Sequence, residues 1–176
     1  ILSHENVASR AVVYESYDKN VQGRVVNERG KTNAGVVAPF DSKRFPEEIK
    51  DDCFSAALAH NPSIGKIDPY IVAQHAVIEA CAKTVSVGAS PLALTDCLCF
   101  GNPEKPEQMW QFSQSCVAIR EACSLLHFNG TDNLPIVAGN VSFYNQSGDQ
   151  SIPASPMIGC FGKVSKEQVL MNGFKS

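Results

Sequence analysis

The sequence predicts an α/β domain built on a mixed β-sheet with helices on one face. Apolar runs of strand length alternate with segments of helical period, which is typical of α/β folds. Two helical segments have clear start signals, and the predicted helices are too few to cover both faces of the sheet. The 176 residues suffice for one domain with a buried core, and 44% of them are hydrophobic.

The predicted elements alternate along the chain. In order they are a helix over 3–17, strands over 22–26, 35–38 and 54–59, a helix from 68, a strand over 91–100, a helix from 106, and strands over 136–138 and 157–164. The strand over 91–100 is apolar on both faces, which predicts an interior position in the sheet. The strand over 136–138 is expected to stop at Gly139 and Asn140.

The helix from 68 has the strongest signals. Asp68 is a good N-cap, Pro69 suits the first helical position, and Gly88 is expected to end the helix. One apolar face is predicted from residues spaced by three and four, namely Ile71, His75, Ile78, Ala82 and Val85. The position of His75 on this face predicts a core histidine rather than a catalytic base.

Composition excludes several function classes. The net charge of −3 gives no electrostatic footprint for nucleic acid, and no apolar stretch is long enough to span a membrane. Seven cysteines without Cys-x-x-Cys spacing argue against a zinc site and favour free thiols in a reducing cytoplasm. Neither end looks like a natural terminus. We therefore expect a helix or linker over 1–20 and a domain over 21–176, excised from a longer protein.

The segment 100–107, Phe-Gly-Asn-Pro-Glu-Lys-Pro-Glu, predicts a rigid polar loop between a strand and a helix. Its two prolines are incompatible with the interior of either element. Gly101-Asn102 and Gly139-Asn140 each follow a predicted strand, where backbone amides can form an anion-binding nest. Together with Lys105 and Ser142, they are candidates for a phosphate site. The alternative is that both glycines only permit a positive φ in turns.

Five motifs in order carry a resemblance to a known family. They occupy 17–23, 87–96, 100–107, 138–145 and 152–156, and so span nearly the whole chain. The chain resembles the second half of phosphoribosylformylglycinamidine synthase, and the motif over 87–96 resembles a strand shared with aminoimidazole ribotide synthetase.

The resemblance implies both a fold and an activity. The fold would be that of the aminoimidazole ribotide synthetase N-terminal domain, in which two such domains pair through their open sheet faces. The whole enzyme would use ATP, magnesium and glutamine-derived ammonia to convert formylglycinamide ribonucleotide to its amidine. Its partners would be the first half of the same enzyme and a glutamine amidotransferase. The catalytic histidine lies in that first half, so this fragment is expected to be inactive alone, and to form a homodimer.

The resemblance also suggests an auxiliary nucleotide site that binds magnesium. Its ligands match Asp18, Glu79 and Lys83, where the family has an asparagine in place of the lysine. The lysine ammonium would then supply the charge that magnesium otherwise supplies. The alternative reading of Glu79 and Lys83 is a surface helix ion pair, since glutamate stands four residues before lysine.

A rival interpretation belongs to a different functional class. The chain could be a stand-alone, non-catalytic scaffold or a nucleotide-binding regulatory module of the same fold. A reading frame that continues past Ser176 would favour the ligase, and a stop codon there would favour the module.

Overall fold

In the computed structural model, residues 3–4, 8–9, 11–15, 21–27, 30–128, 130 and 133–171 are described. Among them, a five-stranded mixed sheet carries two long helices on one face, which confirms the predicted fold class. The strands are β1 (Gly35–Val37), β2 (Asp52–Ala59), β3 (Ser90–Cys99), β4 (Ile136–Ser142) and β7 (Ser155–Ser165), with a separate hairpin of β5 (Gln146–Ser147) and β6 (Gln150–Ser151). The helices are α1 (Ala11–Tyr14), α2 (Glu47–Lys50), α3 (Pro62–Gly65), α4 (Pro69–Ser86) and α5 (Pro106–Leu125).

The sheet has the order β1-β2-β7-β3-β4. β7 pairs antiparallel with both β2 and β3, so Cys160 lies between Ala57 and Leu94. β3 pairs parallel with β4, and α5 forms the crossover between them. The carboxyl ends of β3 and β4 therefore lie side by side, at the start of the predicted functional loop.

Local signals set the bounds of α4. The Asp68 carboxylate accepts hydrogen bonds from the backbone N–H groups of Tyr70 and Ile71, at 2.8 and 2.9 Å. Gly88 follows the helix with φ of +83°, and a Cβ there would lie 2.4 Å from the carbonyl oxygen of Gln168. Both predicted ends of this helix are confirmed.

The predicted buried face of α4 is wrong. Ile71, Ile78 and Val85 are exposed, and the His75 side chain is 42% exposed rather than in the core. The buried residues are mostly small and lie on the opposite face, namely Val72, Ala73, Ala76, Val77, Ala80, Cys81 and Thr84. Small side chains let the helix axis approach the sheet closely, so α4 packs through them and leaves its large aliphatic residues outside.

The N-terminal expectations hold only in part. Of the predicted helix over 3–17, the described residues show one turn, Ala11–Tyr14. The predicted strand over 22–26 holds only for its second half. Gln22 and Gly23 lie in a turn with positive φ, whereas residues 24–26 pair with β1 through the Val25–Val37 bridge and two backbone hydrogen bonds. Buried Asn27 accounts for this irregular edge, since its side chain accepts the Val36 N–H at 2.7 Å and satisfies a backbone donor of β1.

The other face of the sheet is open and apolar. Along β2 the burial alternates, so that Phe54 and Leu58 lie on the uncovered face. Met157 and Phe161 of β7 lie on this face too, and Leu58 is 63% exposed. We call this surface, defined by these four residues, the open sheet face. An exposed apolar surface of this kind marks an interaction site.

Candidate functional site

The ends of β3 and β4 bring several predicted site residues together. The N–H of Phe100 donates to the Ser142 carbonyl at 2.9 Å, and the N–H of Tyr144 donates to the Gly101 carbonyl at 2.9 Å. The side chain of Asn145 joins the two strand ends, because its Nδ2 donates to the carbonyls of Phe100 and Ser142, at 3.1 and 2.8 Å. Gly101 and Ser142, two of the predicted site residues, are therefore neighbours.

The loop over 100–107 is built from its own hydrogen bonds. The Gly101 N–H donates to Oε1 of Gln108 at 3.0 Å, and Oδ1 of Asn102 accepts the Glu104 N–H at 2.8 Å. A Cβ at residue 101 would lie 2.4 Å from the Ser151 hydroxyl oxygen, so glycine is required for close approach rather than for a positive φ. The Gly101 amide is thus already used within the protein, which weakens its case as an anion-binding nest.

Lys105 points toward the hairpin of β5 and β6. Its Nζ lies 3.4 Å from the carbonyl oxygen of Asp149. The hairpin also lines a groove of about 580 Å³, whose wall includes Lys66 and Tyr144. Tyr144 has φ of +60°, which is unusual for a residue other than glycine and indicates a conformation imposed by its surroundings. Sequence reasoning had no signal for Lys66 or for the strain at Tyr144.

Gly139 and Asn140 lie inside β4, so the prediction that they form a loop after a shorter strand is wrong. They pair with Asp96 and Cys97 of β3. The φ of Gly139 is not positive, and a Cβ there would lie 2.2 Å from Oδ1 of Asp96. Glycine is required here because a carboxylate packs against its Cα, which excludes the positive-φ alternative for this residue.

Asp96 is the residue that sequence reasoning missed. Burial raises the pKa of its carboxyl above the ordinary 3.8, and the backbone N–H of Asn140 partly opposes that rise. It lines a cavity of about 360 Å³ between the sheet and α5, together with Cys116, Arg120 and Asn133. The sequence did carry a signal for this residue, because an aspartate stands at a core-facing position of an otherwise apolar strand.

The Glu79–Lys83 pair forms a second, separate group on α4. Lys83 Nζ lies 2.8 Å from Oε1 of Glu79 and donates to the Leu58 carbonyl at 2.9 Å. Nδ1 of His75 lies 3.4 Å from the other Glu79 oxygen. Asp18, the third predicted member, lies outside the described residues. Both carboxylate oxygens of Glu79 thus face nitrogen atoms, and the adjacent ammonium repels a cation, so Glu79 and Lys83 do not fit magnesium.

The cysteines are a further group of reactive side chains, and all seven of them are free thiols. Within the described part of the chain, no three His, Cys, Asp or Glu residues form a group that could hold a metal ion. None of the helices in that same part is long and apolar enough to cross a membrane.

Comparisons with known proteins place this geometry in a family. Residues 32–164 match the family described as AIR synthase related protein, N-terminal domain. The chain belongs to this family. The match covers β1 to β7 and thus the whole sheet, so the resemblance noted in the sequence is confirmed at the level of the domain.

Several similar proteins are named as subunits of one enzyme. Phosphoribosylformylglycinamidine synthase subunit PurL of Methanothrix thermoacetophila is 42% identical over 92% of this chain, which covers 20% of that protein. Two solved structures match at 92% coverage of this chain. One is PurLQS from Thermotoga maritima, with 30% identity, a TM-score of 0.77 and 25% of that chain covered. The other is T. maritima PurL complexed with ATP, with 29% identity, a TM-score of 0.73 and 24% of that chain covered. This AIR synthase related domain thus spans about a fifth of the length of its curated relatives.

Proposed function

We propose that this domain is part of a phosphoribosylformylglycinamidine synthase, within which it pairs with the homologous domain of the enzyme's first half. In the complete enzyme, ATP activates the amide oxygen of formylglycinamide ribonucleotide, and ammonia from a glutamine amidotransferase displaces it. ATP and magnesium are its cofactors, and the cytoplasm is its location. The sequence identity to PurL relatives supports the assignment to this enzyme, and the ATP complex of one relative supports ATP as a cofactor.

The open sheet face is the single observation that carries the proposal. Helices α4 and α5 cover one side of the sheet, whereas Phe54, Leu58, Met157 and Phe161 are partly exposed on the other. A sheet that is apolar on both faces needs a second layer. A matching domain in the remaining four fifths of the enzyme would supply that layer, and in the isolated chain a second copy would take its place as a homodimer.

Within the complete enzyme, we assign the ends of β3 and β4 to the substrate's phosphate. The candidates are Gly101, Asn102, Lys105, Gly139, Asn140 and Ser142. Lys105 supplies positive charge, and the Asn140 amide and the Ser142 hydroxyl are polar groups on the open side of β4. Gly139 contributes indirectly, because it lets Asp96 accept the Asn140 N–H and so fixes the backbone of β4.

A segment replacement tests the assignment. The matching fifth of M. thermoacetophila PurL is replaced by this chain, and ATP-dependent amidine formation is measured with ammonia as the nitrogen donor. We expect an active chimera, and a Phe161→Asp version that folds but loses most of its rate because pairing fails. A folded but inactive unsubstituted chimera would contradict the proposal and would favour a stand-alone module.

The isolated chain is expected to be inactive. The sequence has no phosphate-binding loop, and the proposal puts the catalytic histidine in the other half. Phosphate release from ATP by the purified 176-residue chain should equal the rate without protein. Release that co-purifies with the chain and is lost in a Lys105→Ala variant would refute this expectation.

A further inference from the structure

Two cysteines lie side by side on the open side of the sheet. Cys97 and Cys99 alternate with core-facing residues of β3, so both thiols project to the uncovered side. Their sulfur atoms are 3.5 Å apart, and both side chains are partly exposed. Residues two apart on a strand share a face, but their side chains need not converge as these do.

The neighbouring strands supply polar and soft groups around the two sulfurs. Nδ2 of Asn140 lies 3.4 Å from the Cys97 sulfur, and the Ser142 hydroxyl hydrogen-bonds the Cys99 thiol. Met157, on the other side, is the cross-strand neighbour of Cys97. Burial, followed by the Cys97 thiol, raises the pKa of Cys99, and the Ser142 hydroxyl acts in the opposite direction. A polar group of β4 therefore lies next to each of the two sulfurs.

The distance between the two sulfur atoms suits a metal ion with tetrahedral coordination. Two thiolates on a tetrahedral ion with metal–sulfur bonds of about 2.3 Å stand about 3.8 Å apart, whereas linear coordination would need about 4.6 Å. The observed 3.5 Å is close to the tetrahedral value. Thiolate and thioether sulfur select soft cations over magnesium or calcium.

We propose that Cys97 and Cys99 form a binding site for a soft, thiophilic metal ion, with Met157 as a third sulfur ligand. The ion displaces one proton from each thiol, and water completes its coordination. The site lies beside Asn140 and Ser142, so a bound ion occupies the open side of β4 at the phosphate candidates. The inference does not depend on the ligase assignment, since it uses only the geometry of β3, β4 and β7.

Titration of the reduced chain with Cd²⁺ tests the site. We expect an ultraviolet sulfur-to-cadmium charge-transfer band that saturates at one ion per chain. Cys97→Ser and Cys99→Ser should each lose most of this band, and Met157→Leu should weaken binding while retaining the band. Cys116→Ser, which removes another partly exposed thiol, is the matched control and should keep the band unchanged.

A second measurement uses the unsubstituted chain, so its result does not depend on whether the variants fold. Iodoacetamide labelling is done on the dilute chain, well below the tens of micromolar at which pairing through the open sheet face is expected, and is mapped by mass spectrometry. It should modify Cys97 and Cys99 without Cd²⁺ and neither of them when one equivalent is present. Equal labelling with and without Cd²⁺, or the absence of a band at one equivalent, would overturn the proposal. A band lost in Cys116→Ser but kept in Cys97→Ser would overturn it too.

Discussion

Replacement of Gly139 by alanine tests whether the contact between β4 and Asp96 is a structural requirement. The new Cβ would lie 2.2 Å from Oδ1 and 2.7 Å from Cγ of Asp96. Ordinary contacts are longer than 3 Å, so the carboxylate or the strand must move by about 1 Å. Since the backbone of Gly139 is not in the positive-φ region, the cost comes from this clash and not from strain in φ.

The expected loss of stability follows from two costs and one offset. Overpacking costs about 1–3 kcal/mol, and loss of the hydrogen bond from Asn140 to a carboxylate costs about 1.5–3 kcal/mol. The better strand propensity of alanine offsets roughly 0.5–1 kcal/mol. We therefore expect Gly139→Ala to lower the free energy of unfolding by about 1.5–5.5 kcal/mol, which corresponds to roughly 3–22 °C in Tm.

Urea unfolding followed by circular dichroism measures this change, with two controls. Gly35→Ala is the matched variant in β1, where the new Cβ meets nothing closer than 3.9 Å, and its stability should not fall. In an Asp96→Ala background, Gly139→Ala should cost at least about 1 kcal/mol less, because its clash partner is gone. A Gly139→Ala protein as stable as the parent, or one equally destabilised in both backgrounds, would refute the reasoning.

Three further outcomes are expected. Asp68→Ala removes two N-cap hydrogen bonds from α4 and should cost about 1 kcal/mol in urea unfolding, whereas Asp68→Asn should cost little; equal losses would contradict the capping role. Folding raises the pKa of the Asp96 carboxyl, so the protonated form stabilises the folded chain more than the ionised form does. The free energy of unfolding of the parent, relative to Asp96→Asn, should therefore fall as the pH rises from about 4 through the raised pKa. A difference between the two proteins that does not change with pH would count against this. Lys83→Asn should give magnesium-dependent nucleotide binding by calorimetry, and binding already present with Lys83 in place would show that the lysine has not replaced the metal.

Sequence patterns with a single strong local cause were reliable. Asp68 followed by Pro69 marks the start of α4, since the carboxylate and the proline ring both act within one turn. Gly88 marks the end for an equally local reason, its positive φ. The strands over 52–59 and 155–165 were recognisable because runs of strand length lie between turn residues.

Sequence patterns whose outcome depends on neighbouring elements were not reliable. Ile71, Ile78 and Val85 form a regular apolar stripe, but the helix buries its small residues because these permit a closer approach to the sheet. Gly139-Asn140 has the composition of a turn, yet pairing with β3 extends the strand through it. The glycine is explained by Asp96, a residue 43 positions earlier, and no local signal connects the two.

The sequence grouped candidate residues that the structure brings together only in part. Gly101 lies beside Ser142, whereas Gly139 and Asn140 lie within β4 and not in the predicted loop. The spacing of Glu79 and Lys83 did indicate an ion pair, because residues four apart on a helix are neighbours. Sequence did not show that Gln108 already uses the Gly101 amide, since that contact depends on how the loop over 100–107 folds onto α5.

Sedimentation of the isolated chain tests most directly whether the open sheet face is a pairing surface. At tens of micromolar, the parent chain should sediment as a dimer, and Phe161→Asp, in the centre of the open sheet face, should be a folded monomer. Ile71→Asp removes a comparably exposed apolar side chain from α4 and should still form the dimer. A parent chain that remains monomeric, or a dimer abolished by Ile71→Asp and not by Phe161→Asp, would contradict the account.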